Sequence, residues 1–382
     1  MSAVSAEARA RDPRSGGHGP PTPTLEHWDD LDARRDEWSA LAIEAGNLFA
    51  TWEWADAWRR HAGGGGAPQV FAIRDGDGPP AAILPLWLAT SRRLRLVRFI
   101  GHGAGDHLGP ICAPGAEAAA VRGLEHAMAK FAPGWDILLA ENLPGPAPWE
   151  KMLAGRALRR EVSPNVPIDG RSWDEYVTSR SPKLRRDIRG HERRLARDHI
   201  VRYRLAEQPE RLQRDLDVLF SLHAMRWGPE SRALGPARRA FHGDFAARAL
   251  ERGWLRLWFL EVDGSPVAAW YGFRFAGAEW FYQGGRDPAW EAASVGSVLL
   301  VHTLREAFQD GLREYKMLRG DEAYKGRFAS EACEVLTMAI GRGVRGRAGV
   351  RIAAAAADHG ALAGTLRVGL GRARWRALGG AG

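Results

Sequence analysis

Cysteine is scarce in this chain. The 382 residues hold two, Cys112 and Cys333, far apart in sequence and set near apolar neighbours. That excludes a disulfide framework and reads as two reduced, buried thiols of a cytoplasmic protein. Long apolar runs are missing too, and none approaches the ~20 residues a membrane-spanning helix requires. The first residues carry Arg9, Arg11 and Arg14 without the apolar core of a secretory signal. Their Pro, Gly and Ser content reads as a disordered leader over residues 1–24. His102, Asp106 and His107 lie close on one loop, yet no further ligand follows at a characteristic interval, so no metal is expected.

Net charge is also smaller than it first looks. The formal charge is +8, but from Arg342 onward eight arginines face one acid, Asp358. That tail contributes +7 and leaves +1 (8 − 7) for residues 1–341. A nearly neutral body makes the basic pI weak evidence for a polyanionic partner.

What is present is core material. Hydrophobic residues make up 45% of the chain, enough for two domains of roughly 150 residues each. Sixteen tryptophans suit thick α/β packing or an aromatic groove. Helical spacing runs over Leu31–Ala45 and Trp52–His61, the second with Thr51 as N-cap. Strand-like runs follow at Gln69–Arg74, Ala81–Leu88 and Arg95–Ile100, the first two joined by a hairpin signal at Asp75-Gly76-Asp77-Gly78. A glycine- and histidine-rich loop (Gly101–Gly109), a short strand, a helix over Ala116–Phe131 and a strand at Trp135–Ala140 complete a first half.

The second half starts near Val166 and repeats that order. Ser172-Trp173-Asp174-Glu175 reads as a capping box, and Ser181–Arg197 as a strongly basic helix. Two further helices precede strands at Leu255–Val262, Pro266–Phe275 and Glu279–Gly284. Then come a helix at Val295–Asp310, a strand at Glu314–Leu318, a helical turn at Tyr324–Phe328 and a last strand at Glu334–Ile340. An antiparallel meander followed by a βα crossover, met twice, predicts an α/β (α+β) fold with mixed central sheets flanked by helices. The expected divisions are 25–165, 166–341 and a basic Ala/Gly/Arg-rich tail at 342–382, with Leu362–Leu378 a candidate amphipathic helix.

Two segments carry chemistry: Phe281-Tyr282-Gln283-Gly284-Gly285 and Leu318-Arg319-Gly320-Asp321-Glu322-Ala323-Tyr324-Lys325. With Asn47–Ala62, Arg98–Pro114 and Asp136–Pro144, they make residues 25–340 resemble the bacterial CelD/BcsL-type acetyltransferase group of the GNAT superfamily. Fem-type aminoacyltransferases are related to that group in fold. The resemblance implies a tandem GNAT-like fold and N-acyl transfer from a thioester, usually acetyl-CoA, with no metal. The acceptor would be an amine of a small molecule or of a cell-envelope or polysaccharide-related compound.

The residues suit such chemistry. Glycines at a strand end, Gln283-Gly284-Gly285, allow a bulge whose free N–H groups could stabilise an oxyanion. Ser294-Val295-Gly296-Ser297 opens a helix whose N-terminus could take a diphosphate. The superfamily pattern there is Arg/Gln-x-x-Gly-x-Gly/Ala; this chain has Glu291-Ala292-Ala293-Ser294-Val295-Gly296, with a carboxylate in the first position. Asp321 is the candidate base, Tyr324 the candidate acid at a position known in the superfamily, and Lys325 a third catalytic candidate. Arg319, Asp106, His107, Trp54 and Tyr282 are candidate acceptor-binding residues in a cleft between the halves. The basic run at 181–197 could dock tRNA or an acyl carrier protein, although few aromatics interrupt it. Two rival readings remain: a Fem-like aminoacyl-tRNA-dependent transferase, and a non-catalytic scaffold.

Overall fold

The structure is a computed structural model, and it describes residues 24–358 apart from 75, 92–93, 132–133, 232 and 321. The leader, the candidate helix Leu362–Leu378 and the candidate base Asp321 therefore lie outside the described residues.

The first half contains β1 (Thr24–Trp28), α1 (Arg35–Ala45), α2 (Trp52–His61), β2 (Gly66–Arg74), β3 (Ala82–Ser91), β4 (Leu94–Phe99), β5 (Ile111–Cys112), α3 (Glu117–Lys130), β6 (Ile137–Pro144), α4 (Trp149–Met152) and β7 (Arg156–Pro167). The second contains α5 (Trp173–Ser179), α6 (Pro182–Asp198), β8 (Val201–Leu205), α7 (Leu212–Trp227), α8 (Arg239–Glu251), β9 (Leu255–Val262), β10 (Ser265–Phe275) and β11 (Ala278–Arg286). It closes with α9 (Val295–Gln309), β12 (Glu314–Lys316), α10 (Ala323–Phe328), β13 (Glu331–Gly341) and α11 (Gly343–Asp358).

Local chemistry explains several boundaries. Thr51 caps α2 by accepting from the Trp54 N–H, and Ser172 with Glu175 forms a full capping box at α5, so both helix starts are fixed by side chains. Gly46 closes α1 at φ +61°, a conformation that is cheap only for glycine. Past Gly341 the chain continues as α11, whose Val350, Ala353, Ala354 and Ala356 are buried. The tail expected to begin at 342 thus starts with a packed helix, because alanines at helical spacing offer a flat face to the sheet.

Among the described residues, thirteen strands form one mixed sheet ordered β1-β2-β3-β4-β6-β13-β7-β12-β11-β10-β9-β8, with β5 on β3. The expected mixed α/β architecture is present, and the repeat shows in the pairing. In the first half β1 to β4 form an antiparallel meander, and β4 meets β6 in parallel. In the second half β8 to β11 do the same, and β11 meets β12 in parallel. The halves then exchange their last strands. β13 pairs antiparallel with β6 of the first half, β7 pairs antiparallel with β12 of the second, and β7 and β13 pair with each other at the centre.

One hydrophobic cluster fills the first half and continues beneath α7 and α8. A second lies between the C-terminal strands and α5, α6 and α9.

Candidate active site

In both halves the parallel pair is short and its strands then part. β4 and β6 keep register over Leu96–Arg98 and Ile137–Leu139; β11 and β12 keep it over Ala278–Trp280 and Glu314–Lys316. The two gaps differ in content. In the first half the chain's own loop fills the gap: Leu108 N–H donates to the Asn142 carbonyl (2.9 Å), and Asn142 Nδ2 donates to the Gly105 carbonyl (2.9 Å). Arg98, 2% exposed, is locked to Glu141 beside it.

In the second half β11 runs on to Arg286, while the chain after Lys316 turns toward β7, with Met317 N–H on the Pro164 carbonyl and Gly320 N–H on the Val162 carbonyl. Among the described residues, the β12 side of β11 from Phe281 onward has no partner strand. Just there β11 is bulged: Tyr271 faces Gln283 while Gly272 faces Phe281, leaving Tyr282 as the extra residue. A bulge re-aims successive N–H groups and breaks the ladder.

The bulge precedes the glycine pair expected to make it. Gly284 and Gly285 stay in register with Trp270 and Ala269. Gly285 has a different job: a Cβ there would lie 2.3 Å from the His223 amide nitrogen, so its bareness lets α7 press onto β11. His223 Nδ1 then lies 3.1 Å from the Gly284 carbonyl oxygen, and its Nε2 lies 2.7 Å from Ser231 Oγ.

α9 begins beside the gap. Ser294 adopts the left-handed conformation (φ +56°) and gives no side-chain cap, while the backbone N–H groups of Ser297 and Val298 bond to its carbonyl. Val295 is buried, and Gly296 lies against Arg286. Ser297 borders a small cavity between α9, α6 and the end of α10. Glu291, the carboxylate that departs from the superfamily pattern, is ion-paired at 2.8 Å with Arg286, the cation that lies against Gly296.

Across the gap from β11 stands the chain that follows β12 from Leu318 to Gly320. Leu318 (φ +57°) and Gly320 (φ +127°) both occupy positive φ. A Cβ on Gly320 would meet Glu322 Oε2 at 2.1 Å and Lys325 Nζ at 2.8 Å, so only glycine fits. Lys325, expected as a catalytic group, is spent on this turn. Its buried Nζ donates to the Arg319 carbonyl at 2.5 Å and the Leu318 carbonyl at 3.4 Å, and pairs with Glu322 at 3.0 Å. Tyr324 is half-buried on α10; burial first, then the Glu322 charge, push its phenol well above the usual range, with Arg226 pulling the other way. It keeps its proton at any physiological pH.

The expected acceptor residues do come together, but as a sealed joint between the halves. Arg319 Nε and Nη2 reach Asp106 Oδ1 at 2.9 and 2.8 Å, and Nη1 reaches Glu161 Oε2 at 2.9 Å. Burial opposes the guanidinium charge, yet the two carboxylates more than offset it and raise its pKa. Tyr282 is buried with its hydroxyl on the Ala104 carbonyl (2.9 Å). Trp54 is fully buried, edge-on to Phe49, Phe241, Phe245 and Tyr282. His107 is buried too, its pKa driven to about 3 by burial and then by Lys316 and Arg319. The cleft is thus closed at this level, because aromatic surfaces from both halves bury more area against each other than a wet groove would allow.

Nothing in the local sequence singles out Glu161, Arg226 or Asn142. Glu161 sits in β7, whose charges and prolines hide its strand character. Arg226 is half-buried, its guanidinium over the Trp227 ring (4.5 Å), with the titratable groups of Tyr324, Arg286 and Glu322 around it. Asn142 is conspicuous only by its positive φ of 56°. Neither cysteine is fit for nucleophilic work, since burial pushes the Cys112 thiol up to about 12 and raises that of Cys333 as well. Among the described residues no group of three His, Cys, Asp or Glu side chains could hold a metal, and no helix is long and apolar enough to cross a membrane.

A strand pair that parts at a bulge, with a helix starting beside the gap, matches what family comparison finds. Residues 182–326 match the model of the acetyltransferase (GNAT) domain. Over those residues the second half is similar to a GNAT acetyltransferase domain. Among solved structures, FemX superposes with a TM-score of 0.62 at 11% identity, covering 86% of this chain and 100% of that one. L-PGS from Bacillus licheniformis gives 0.53 at 13% identity, with 85% and 96% covered. The C-terminal domain of a putative lysylphosphatidylglycerol synthetase from Agrobacterium fabrum gives 0.53 at 13%, with 85% and 97% covered. At such identities the likeness is one of fold. A search of the curated proteins finds no match.

Proposed function

We propose that the chain is an N-acyltransferase of the CelD/BcsL-type group, moving an acyl group from acyl-CoA, acetyl-CoA first among candidates, to an amine. The observation that carries this reading is the contrast between the gaps: the first is filled by the chain's own loop, whereas β11 keeps an unpaired, bulged edge beside the start of α9. The thioester would lie along Phe281–Gly285, its carbonyl oxygen taken by backbone N–H groups freed at the bulge. The diphosphate would meet the Val295 and Gly296 N–H groups and the Ser297 hydroxyl at the helix start, where the dipole also favours an anion. Arg286 would add a cation once released from Glu291.

The amine attacks the thioester carbon, the C–S bond breaks, and the amine loses one proton as the thiolate gains one. Asp321 is proposed as the base, directly or through water. Tyr324 is proposed to hydrogen-bond the leaving sulfur. Its raised pKa makes it a strong keeper of its proton, so stabilising the thiolate by donation suits it better than full early transfer. The acceptor would approach from the side of Arg226, past the exposed Met225 and Trp227 (54% and 50%). A small-molecule or envelope-related amine fits that mixed apolar and cationic rim.

A second reading, aminoacyl transfer from tRNA, is favoured by one feature. Lys183, Arg186, Arg189, Arg193, Arg194 and Arg197 are exposed along α6, and of these only Arg197 has an acid partner among the described residues. An acyl carrier protein is a further candidate for this face. Titration calorimetry with acetyl-CoA separates the readings. Saturable binding supports the first; no binding together with retention on tRNA overturns it in favour of the second. Loss of turnover in a folded Asp321→Asn variant is the expected sign of the base, and unchanged turnover removes that assignment.

A further inference from the structure

At the far end of α9 lies a second recess that the acyl-transfer reading does not use. It is an open groove of about 550 Å³ between β8, β9, the loop after β8 and the C-terminal part of α9, a volume within the ~300–1,000 Å³ range of small-molecule sites. α9 has 15 residues, so groove and helix start are roughly 20 Å apart at 1.5 Å per residue.

The cations in the groove fall into two groups. Arg204 is spent on Asp215 and Glu261, and Arg274 on Glu279 and Asp310. Arg202, Arg211 and Arg256 have no carboxylate within ion-pair distance among the described residues. Arg202 and Arg211 are exposed at the rim. Arg256 is different: it is half-buried beside Trp258, and among the described residues its one side-chain hydrogen bond is from Nη1 to the Leu255 carbonyl (3.1 Å). Burial lowers its pKa and the adjoining Arg274 lowers it further, while Glu279, Asp310 and Glu207 pull the other way from beyond ion-pair distance and do not offset the burial. A guanidinium taken partly out of water and set next to another cation is costly unless an anion joins it. Its planar fork is shaped for the paired oxygens of a phosphate or carboxylate. Glu207 and Glu306 also line the groove. Their charge disfavours an extended polyanion and leaves room for one compact anionic head.

We infer that this groove is a binding site for a small ligand carrying a single phosphate or carboxylate head, held by Arg256 at the floor with Arg202 and Arg211 at the rim, and separate from the acyl-transfer site.

Calorimetry on the full chain with inorganic phosphate in one arm and propionate in the other tests this and tells a phosphoryl head from a carboxyl one. Saturable binding of at least one probe is expected, weakened about tenfold or more by Arg256→Gln, a few-fold by Arg211→Gln, and unchanged by Arg286→Gln at the opposite end of α9. The exposed double variant Arg202→Gln/Arg211→Gln gives the same readout should Arg256→Gln fail to fold. No binding of either probe overturns the site. So does binding indifferent to the groove variants, or binding lost with Arg286→Gln, which would place the anion at the helix start.

Discussion

Arg319 and Asp106, 213 positions apart in sequence, meet through two guanidinium nitrogens on one carboxylate oxygen at 2.9 and 2.8 Å. With Glu161 on the remaining Nη1, this contact ties the turn beside the candidate site to the glycine-rich loop of the other half. It explains why residues that read as an acceptor site serve as a joint: each charge is already answered by a neighbour.

Arg319→Ala should therefore destabilise the protein rather than simply weaken acceptor binding. It leaves Asp106 without its counter-charge and takes from Glu161 one of two guanidinium partners, Arg159 being the other, and costs about 2 kcal/mol. Urea unfolding checks this. A midpoint unchanged from wild type, with a raised acceptor KM, would return Arg319 to the acceptor site.

Gly285→Ala should cost about 3 kcal/mol, since the new methyl lands 2.3 Å from backbone that cannot move without shifting α7. Gly284→Ala is the control. Its nearest neighbours are the Ala269 carbonyl oxygen at 3.2 Å and the Phe281 ring at 3.4 Å, so it should cost clearly less. Equal thermal shifts for the two variants would contradict the packing role given to Gly285.

Acid should weaken the fold well before the carboxylates titrate. Burial holds His102 well below 6.5 and drives His107 and His242 to about 3. Below pH 6.5 the unfolded chain binds protons these side chains refuse in the folded state. Their contribution is thus complete above 6.5 and is lost as pH falls toward 3. One such histidine costs on the order of 2 kcal/mol between pH 6.5 and 5. Urea midpoints across that range should drop in wild type and drop less in His242→Gln; parallel curves would rule His242 out as a contributor.

Tyr324→Phe keeps the ring packed against the C-terminal core and removes only the hydroxyl. If the phenol stabilises the leaving sulfur, kcat should fall about 10²-fold with little change in donor KM. Steady-state kinetics with a thiol-reactive probe measures both, and an unaltered kcat would eliminate the role.

Much of the local structure was legible because side chains declare it. Thr51 and the Ser172/Glu175 box mark helix starts. β7 was not legible. Its residues, Arg-Ala-Leu-Arg-Arg-Glu-Val-Ser-Pro-Asn-Val-Pro, mix charge with two prolines, and only pairing with β13 and β12 makes them a strand. The exchange of last strands is equally silent, since no local pattern records which partner arrives from the far end of the chain. At the site, Asp321, Tyr324 and the start of α9 stood out as a chemical cluster. Lys325 stood out for the same reason, yet its ammonium serves three neighbours of its own turn.

The exchanged strands also set an order of events during synthesis. The edge of β6 that receives β13 must wait for residues 331–341, which leave the ribosome about 190 residues after β6, or roughly 10–40 s later at 5–20 residues per second. Through that interval β7, already made, is the nearest strand able to occupy the vacant edge, and pairing there would have to be undone before the native order forms. The nascent first half is therefore where a holding chaperone would find an exposed strand, and where slower translation of the second half would lengthen the risk.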